Sequence, residues 1–379
     1  MRNENKLGIL ALTNDGLKIA SHLYEKFGDS IIYIHESSCK DFADCKVRQK
    51  IKVFKHLRDI IHEVWSTHSS LIFIMATGIV VRQIASLISS KDRDPAVIVI
   101  DDLGKFVVPI LSGHLGGANA LARTIADQLQ AIPVITTATD NRGFVAPDEY
   151  ARILDWKVED LKSLPSINRK LLEQGYLTLA SEWELNPDHP LLKDSSYILT
   201  DKQEDADVVI SAKTRARGVA NKSSTYESVT HENVTHESVT YSSNLSLKLV
   251  PPVFSVGIGC RFGTPEKDIF TALRLAFDNL GIALKGIKVI CSISLKQSEP
   301  GLVEAAKLLD VPFKTFPPEQ IQEVNEQNGL VKSSFVREKI GVDGVCEAAS
   351  LLGTQNGRLI LPKLKVGPVT VAVSEERYL

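Results

Sequence analysis

The residues of this chain best suited to chemistry lie in one short string, Leu111-Ser112-Gly113-His114-Leu115-Gly116-Gly117-Ala118-Asn119. An apolar run leads into it and a helical pattern leaves it. Consecutive glycines at a helix start bring bare backbone N–H groups close to a ligand, and the helix dipole favours negative charge there. His114 adds a group that moves protons near neutral pH, and Ser112 a hydroxyl beside it. The same string also fits a tight strand–helix turn whose histidine caps a carbonyl. A Ser–His hydrolase is poorly matched: there is no G-x-S-x-G, and Ser112 and His114 stand too close in sequence for triad geometry. His114 as a base for water is the better reading.

Two other segments place polar groups at strand ends. Met75-Ala76-Thr77-Gly78-Ile79-Val80-Val81-Arg82 opens a helix on small residues, with Arg82 about one turn in. Arg82 either clamps a carboxylate or solvates a helix face. Thr136-Thr137-Ala138-Thr139-Asp140 offers hydroxyls and one carboxylate after the apolar stretch through Val134. Because ligands of α/β sheets bind at strand carboxyl ends, the three loops are expected to converge on one crevice. Lys91-Asp92-Arg93-Asp94-Pro95 reads as a solvated turn.

Near the carboxyl end, Gly257-Ile258-Gly259-Cys260-Arg261-Phe262-Gly263 is another glycine loop between a strand and a helix. It resembles a dinucleotide or S-adenosylmethionine loop, but no acid follows the next strand before Glu299 to hold a ribose. An anion-binding loop fits better, with Arg261 and Lys296 supplying charge. Cys260, Cys291 and Cys346 lack metal-ligand spacing and read as buried thiols.

The elements that position these groups form an α/β fold: two α/β domains with mostly parallel sheets, joined by a small middle region and a flexible linker. In residues 1–136, strands are expected at Leu7–Leu12, Ile31–Ile34, Leu71–Ala76, Val97–Ile100 and Pro133–Thr136, all short and rich in Ile and Val. Helical spacing joins Val53, Leu57, Ile60, Ile61 and Val64, and again Leu121, Ala122, Ile125 and Leu129. Val97–Ile100 and Phe106–Leu111 flank a glycine turn and predict a hairpin. A middle region, 137–222, holds Trp156 and Trp183, a helix around Ile167–Glu173 and a strand at Val208–Ser211. Residues 223–250 read as a linker built on a pentapeptide repeat across 225–241; His231 and His236 in it fall on different faces and do not make a metal pair. Residues 251–379 form the last domain. Its strands are expected at Val253–Ile258, Lys288–Ile293, Val311–Thr315 and Arg358–Leu361. Helices are expected at Glu299–Leu309 and Asp343–Leu352, and another opens with Thr264 as N-cap.

Composition narrows the function classes. The 379 residues carry 44 Lys+Arg against 46 Asp+Glu, so a net charge of −2 provides no whole-protein grip on nucleic acid. The longest apolar run, Leu71–Val81, is about half of what a membrane span needs, roughly 20 residues. Five scattered cysteines and no secretory leader fit a reducing cytoplasm, where the sequons at Asn221, Asn233 and Asn244 carry no meaning.

Taken together, Ala76–Arg82, Asp94-Pro95-Ala96-Val97, Asp101, Ser112–Asn119 and Pro133–Asp140 resemble the amino-terminal part of the cobalamin-biosynthesis CbiG family, the cobalt-precorrin-5A hydrolases. Gly257–Arg261, Lys296, Glu299-Pro300-Gly301-Leu302 and Glu347-Ala348-Ala349 resemble its second module, with Phe262 standing where a basic or polar residue is expected. The match covers roughly two-thirds of the chain. It implies a cobalt-containing, ring-contracted tetrapyrrole substrate of the anaerobic vitamin B12 route, whose δ-lactone is opened with loss of acetaldehyde to give cobalt-precorrin-5B. On this basis His114 is the general base, the Gly116 and Gly117 amides are oxyanion donors, and Asp101 or Asp140 orients the imidazole. Ser112 stands with them as a catalytic candidate. Arg82, Arg261 and Lys296 hold substrate carboxylates, and Thr77, Gly78, Gly113, Asn119, Thr137, Gly259 and Glu299 complete the expected contacts. Cobalt arrives on the substrate, so no cofactor or metal site is implied, and the expected partners are the tetrapyrrole intermediate and neighbouring pathway enzymes. The alternatives are a non-catalytic tetrapyrrole carrier, with His114 as axial cobalt ligand, and an S-adenosylmethionine-dependent methyltransferase.

Overall fold

The computed structural model describes residues 7–28, 30–38, 50–91, 93–214, 246–330, 332 and 334–377. The repeat at 225–241, Cys39, Cys45 and the three sequons lie outside the described residues. The chain divides into two compact units, Met1–Leu154 and Asp155–Leu379.

In the first unit, strands β1 (Leu7–Ala11), β2 (Ser30–His35), β3 (Ile51–Phe54), β4 (Ser70–Ile74), β5 (Ala96–Ile100), β6 (Phe106–Leu111) and β7 (Ile132–Pro133) form one sheet. Their order is β3-β2-β1-β4-β5-β6-β7. The helices are α1 (Asn14–Phe27), α2 (Leu57–Thr67), α3 (Thr77–Ile84), α4 (Ala118–Leu129), α5 (Ala138–Asn141) and α6 (Pro147–Ile153). The first five strands run parallel, and their unbroken apolar runs suit strands covered on both faces. Successive residues feed opposite layers. Ile9, Ile72 and Ile98 pack with α1 and α4, whereas Leu10, Phe73, Val97 and Val99 pack with α2 and α3.

The expected hairpin between β5 and β6 is present, with Val97 opposite Leu111 and Ile100 opposite Val107. It has a larger consequence than closing a turn. β6 and β7 run parallel to each other but opposite to the other five strands. Val53 lies in β3 rather than in a helix, and α2 starts at Leu57. A four-residue step from a strand end across a turn imitates helical spacing. The first unit also continues beyond 136, because Ala146, Tyr150 and Ala151 of the following segment are buried.

The second unit holds two five-stranded sheets. Strands β8 (Lys157–Val158), β9 (Leu177–Ser181), β10 (Tyr197–Leu199), β11 (Val208–Ile210) and β12 (Leu247–Val250) lie in the order β10-β9-β11-β12-β8, with only β8 antiparallel to its neighbour. Helices α7 (Leu164–Gln174) and α8 (Pro190–Lys193) accompany them. Leu247–Val250, read from sequence as the end of the linker, is therefore a strand. Leu247 and Leu249 are fully buried in it.

The last sheet comprises β13 (Phe254–Cys260), β14 (Ile287–Ile293), β15 (Phe313–Phe316), β16 (Arg358–Val366) and β17 (Val369–Glu375), ordered β15-β14-β13-β17-β16. Its helices are α9 (Glu266–Leu280), α10 (Pro300–Leu309), α11 (Pro318–Gln327), α12 (Ser334–Ile340) and α13 (Cys346–Leu352). β17, which sequence reading missed, pairs antiparallel with both β13 and β16. The N-cap of α9 is Pro265 rather than Thr264, whose hydroxyl donates instead to the Arg261 carbonyl at 2.8 Å. Among the described residues, no helix is long and apolar enough to cross a membrane.

Candidate active site

The His114 loop is fixed by its own backbone. Ser112 adopts a left-handed conformation (φ 56°), and its carbonyl accepts the Ala118 amide at 3.1 Å. The Gly113 carbonyl accepts the Asn119 amide at 3.1 Å, and the His114 carbonyl accepts that of Gly117 at 2.9 Å. This folding brings Gly116 so close to Ser112 that an added Cβ would lie 2.4 Å from the Ser112 Cβ. Gly117, the N-cap of α4, has φ +79°, which a side chain would strain. The two glycines are thus steric requirements of the turn that aims His114.

Around the imidazole the chain gathers charges from three helices. His114 Nε2 lies 2.9 Å from Asp140 Oδ2 in α5, and Nδ1 lies 3.4 Å from Asp148 Oδ2 in α6. The Thr139 hydroxyl is 3.2 Å from Nε2. Asp140 also accepts hydrogen bonds from Asn119 Nδ2 at 2.9 Å and from the Arg123 guanidinium, both on α4. Asn119 Nδ2 donates further to the Thr137 hydroxyl at 3.0 Å. Asn119 and Arg123 are four residues apart, one face of one helix.

These partners decide the protonation state. Burial works to lower the His114 pKa, but the hydrogen bonds and charges of Asp148 and Asp140 outweigh it and push it up to about 9. Burial works to raise Asp140, yet Arg123 and His114 hold its carboxyl below the usual carboxylate range. At neutral pH His114 is an imidazolium, with an N–H on each nitrogen. In this state it is a proton donor, whereas the sequence reading expects a base.

Glu149, next to Asp148 in the first turn of α6, behaves differently. Burial raises its pKa above the ordinary value, the His114 cation opposes, and the Asp140 charge adds to the rise. Ligand atoms of His114, Asp140 and Glu149 all lie within 4.8 Å of one another, a spacing able to hold a divalent cation. Such an ion would have to displace the His114 proton and compete with Arg123 for Asp140. Arg152, 4.0 Å from Glu149, has a buried Nε with no acceptor among the described residues.

Other sequence candidates fall elsewhere or are already engaged. The Ser112 hydroxyl donates to the Asp94 carbonyl at 3.2 Å. The Gly117 amide, proposed as an oxyanion donor, is taken by the His114 carbonyl, whereas among the described residues the Gly116 amide has no acceptor. Asp101 does not orient His114, since its carboxylate accepts the Leu103 and Phe106 amides in the β5–β6 turn at 3.2 and 2.6 Å. Asp94 is buried rather than solvated and caps the Ser89 amide at 3.0 Å.

Thr77, Gly78 and Arg82 do not share a crevice with His114. They follow the carboxyl end of β4, while the hairpin returns β6 so that Leu111 lies beside Val97, at the start of β5. The two loops are thus separated by the length of β5, roughly 13 Å. Arg82 donates to the Gly78 carbonyl of its own helix at 2.9 Å. Thr77 and Asp101 line a cavity of about 580 Å³ with Leu12, Met75, Phe106 and Val108, at the end of the sheet away from His114.

In the second unit, the glycine loop is an internal brace with an exposed tip. An added Cβ at Gly257 would lie 1.8 Å from the Cys346 carbonyl, so its bareness lets α13 approach β13. The Thr370 hydroxyl donates to the Gly259 carbonyl at 3.1 Å. Buried Glu299 accepts the Gly263 amide at 2.6 Å and Lys296 Nζ at 2.8 Å. Arg261 and Phe262 are exposed, and Lys296 stands 5.8 Å from the Phe262 ring centroid. Cys291 and Cys346 are buried as expected, and Cys260 is half-buried.

Sequence reading missed Arg123, Asp148, Glu149 and Arg152. A signal existed for Arg123, at i+4 from Asn119. Pro147-Asp148-Glu149 is a helix-start pattern that could have marked α6.

Comparison with known proteins identifies the family. Residues 59–140 match the family described as cobalamin synthesis G N-terminal, and residues 254–374 match cobalamin synthesis G C-terminus. A protein of Priestia megaterium named cobalt-precorrin-5A hydrolase is 30% identical over 376 residues, spanning 97% of this chain and 94% of its own length. One of the same name from Salmonella typhimurium is 35% identical over 315 residues, 82% of this chain and 83% of its own.

Proposed function

This chain belongs to the CbiG family of cobalt-precorrin-5A hydrolases, and we propose from that premise that it opens the ring A lactone of cobalt-precorrin-5A. Acetaldehyde leaves and cobalt-precorrin-5B remains. The observation that carries the reading to particular atoms is His114, held as a cation between Asp140 and Asp148 on a glycine turn whose Gly116 amide has no acceptor among the described residues. An imidazolium serves lactone opening in two ways. It hydrogen-bonds the oxyanion that develops on the attacked carbonyl, and it protonates the departing oxygen. Asp140 and Asp148 fix the ring and maintain its charge.

Cobalt enters on the substrate, and the reaction as written needs no resident metal or cofactor. The substrate is ringed by carboxylates, for which exposed Arg261 is a suitable contact on the second unit. The reading places the enzyme in the cytoplasm, beside the pathway enzymes that make and consume its intermediate, with no nucleic-acid or membrane partner. A carrier that bound cobalt through His114 would need a neutral imidazole, whereas Asp140 and Asp148 favour the protonated ring. A methyltransferase is disfavoured by the missing acid after the glycine loop.

The test is acetaldehyde release from enzymatically prepared cobalt-precorrin-5A, with wild type compared to His114→Ala. Release by wild type, reduced roughly 10²- to 10⁴-fold in the variant while substrate still binds, is the expected result. Binding by wild type without acetaldehyde contradicts the hydrolase reading and favours the carrier.

A further inference from the structure

Opening a lactone with water requires a group that takes a proton from that water, and His114, already protonated, is a donor. Three carboxylates surround it. Asp140 is committed to Arg123, Asn119 and His114, and Asp148 is held against His114 Nδ1. Glu149 differs from both. Its side chain is only 12% exposed, and an oxygen of it lies within 4.8 Å of the His114 and Asp140 ligand atoms. Among the described residues it accepts no hydrogen bond, and Arg152 stands 4.0 Å away. A sheltered carboxylate beside an imidazolium, with its lone pairs unclaimed, is the arrangement a water molecule would complete.

We propose that Glu149 is the general base of the hydrolysis, a catalytic residue paired with His114 as the acid. The assignment rests on the hydrolase reading above. Glu149 takes a proton from water as the water oxygen bonds to the lactone carbonyl carbon. The tetrahedral adduct then collapses, the acyl–oxygen bond breaks, and His114 gives its proton to the departing oxygen. This leaves a carboxylic acid and an alcohol. Neutral His114 next removes the alcohol proton; the C–O bond becomes C=O, the carbon–carbon bond to ring A breaks, and its electron pair passes into the conjugated macrocycle. Acetaldehyde departs. Glu149 then returns its proton to solvent and both groups are restored.

Charged groups acting on Glu149 are His114 from the glycine turn, Arg123 from α4, Asp140 from α5 and Arg152 from α6, with Asp148 on the far side of the imidazole, in contact at Nδ1. The experiment compares wild type, E149Q, E149D and E149A in the acetaldehyde assay across pH, with substrate binding followed separately. E149Q is expected to lower kcat roughly 10²- to 10⁴-fold with binding retained, and to abolish the acidic limb of the kcat profile. E149D should keep that limb at reduced rate, and added formate should restore part of the rate to E149A. E149Q within about threefold of wild type overturns the assignment. So does a slow E149Q that keeps the acidic limb, with no formate rescue of E149A. Wild type that binds substrate but releases no acetaldehyde overturns the hydrolase reading and this assignment together; an active wild type with an indifferent E149Q overturns the assignment alone.

Discussion

At the carboxyl ends of β4 and β5 the first unit places Thr77, Gly78 and Asp101; at the opposite end of the same sheet, where β6 and β7 finish, it places His114 and Asp140. Both ends begin a helix after small residues, and both look like ligand loops in sequence. At the first end the charged groups are satisfied locally: two turn amides occupy Asp101, and Arg82 bonds its own helix. At the second, ionisable groups from separate elements are buried against one another. Groups used by nearby backbone stabilise a turn, whereas groups that converge from distant segments shift each other's pKa values, which is what catalysis requires. The cavity of about 580 Å³ lies at the first end, so cavity volume alone would point away from the reactive cluster.

This contrast predicts unequal effects of substitution. Asp140→Asn removes the charge that holds both His114 and Arg123, so acetaldehyde release should fall by roughly 10²-fold or more, and the His114 ring pKa, followed by NMR, should drop from about 9. A variant with an unchanged ring pKa would erase the distinction between the two ends. Arg82→Ala and Asp101→Asn should be much milder, within about threefold of wild type in kcat, because neither group reaches His114. Their measured effect on KM sharpens the comparison: a rise of tenfold or more would bring the β4–β5 end into substrate binding.

Much of this site was legible in the sequence, and the losses have identifiable causes. The strings 112–119 and 136–140 belong together because β6 and β7 are parallel neighbours, and both were marked as reactive. The hairpin itself was expected from the turn at Asp101–Lys105. Reversing β6 carries Ser112–Asn119 to the other end of the sheet, so the rule for parallel sheets cannot unite it with Thr77. Asp148 and Glu149 were missed because α6 is a single short helix in a stretch without strong apolar periodicity, assigned to a separate region beyond 136. The proton state of His114 was beyond reach from one loop, since it depends on two carboxylates 26 and 34 positions away in the chain. In the second unit, Leu247 and Leu249 alternate like a strand but follow the polar repeat, and that composition masked them.

Catalysis here depends most directly on His114 being an acid. The decisive measurement is kcat for acetaldehyde release as a function of pH. His114 must be protonated to act, so activity should fall as pH rises through about 9, and an acidic limb should reflect deprotonation of Glu149, whose pKa burial holds above its ordinary value. A rate that instead climbs through pH 9, as a histidine base freed of its proton would give, contradicts the account.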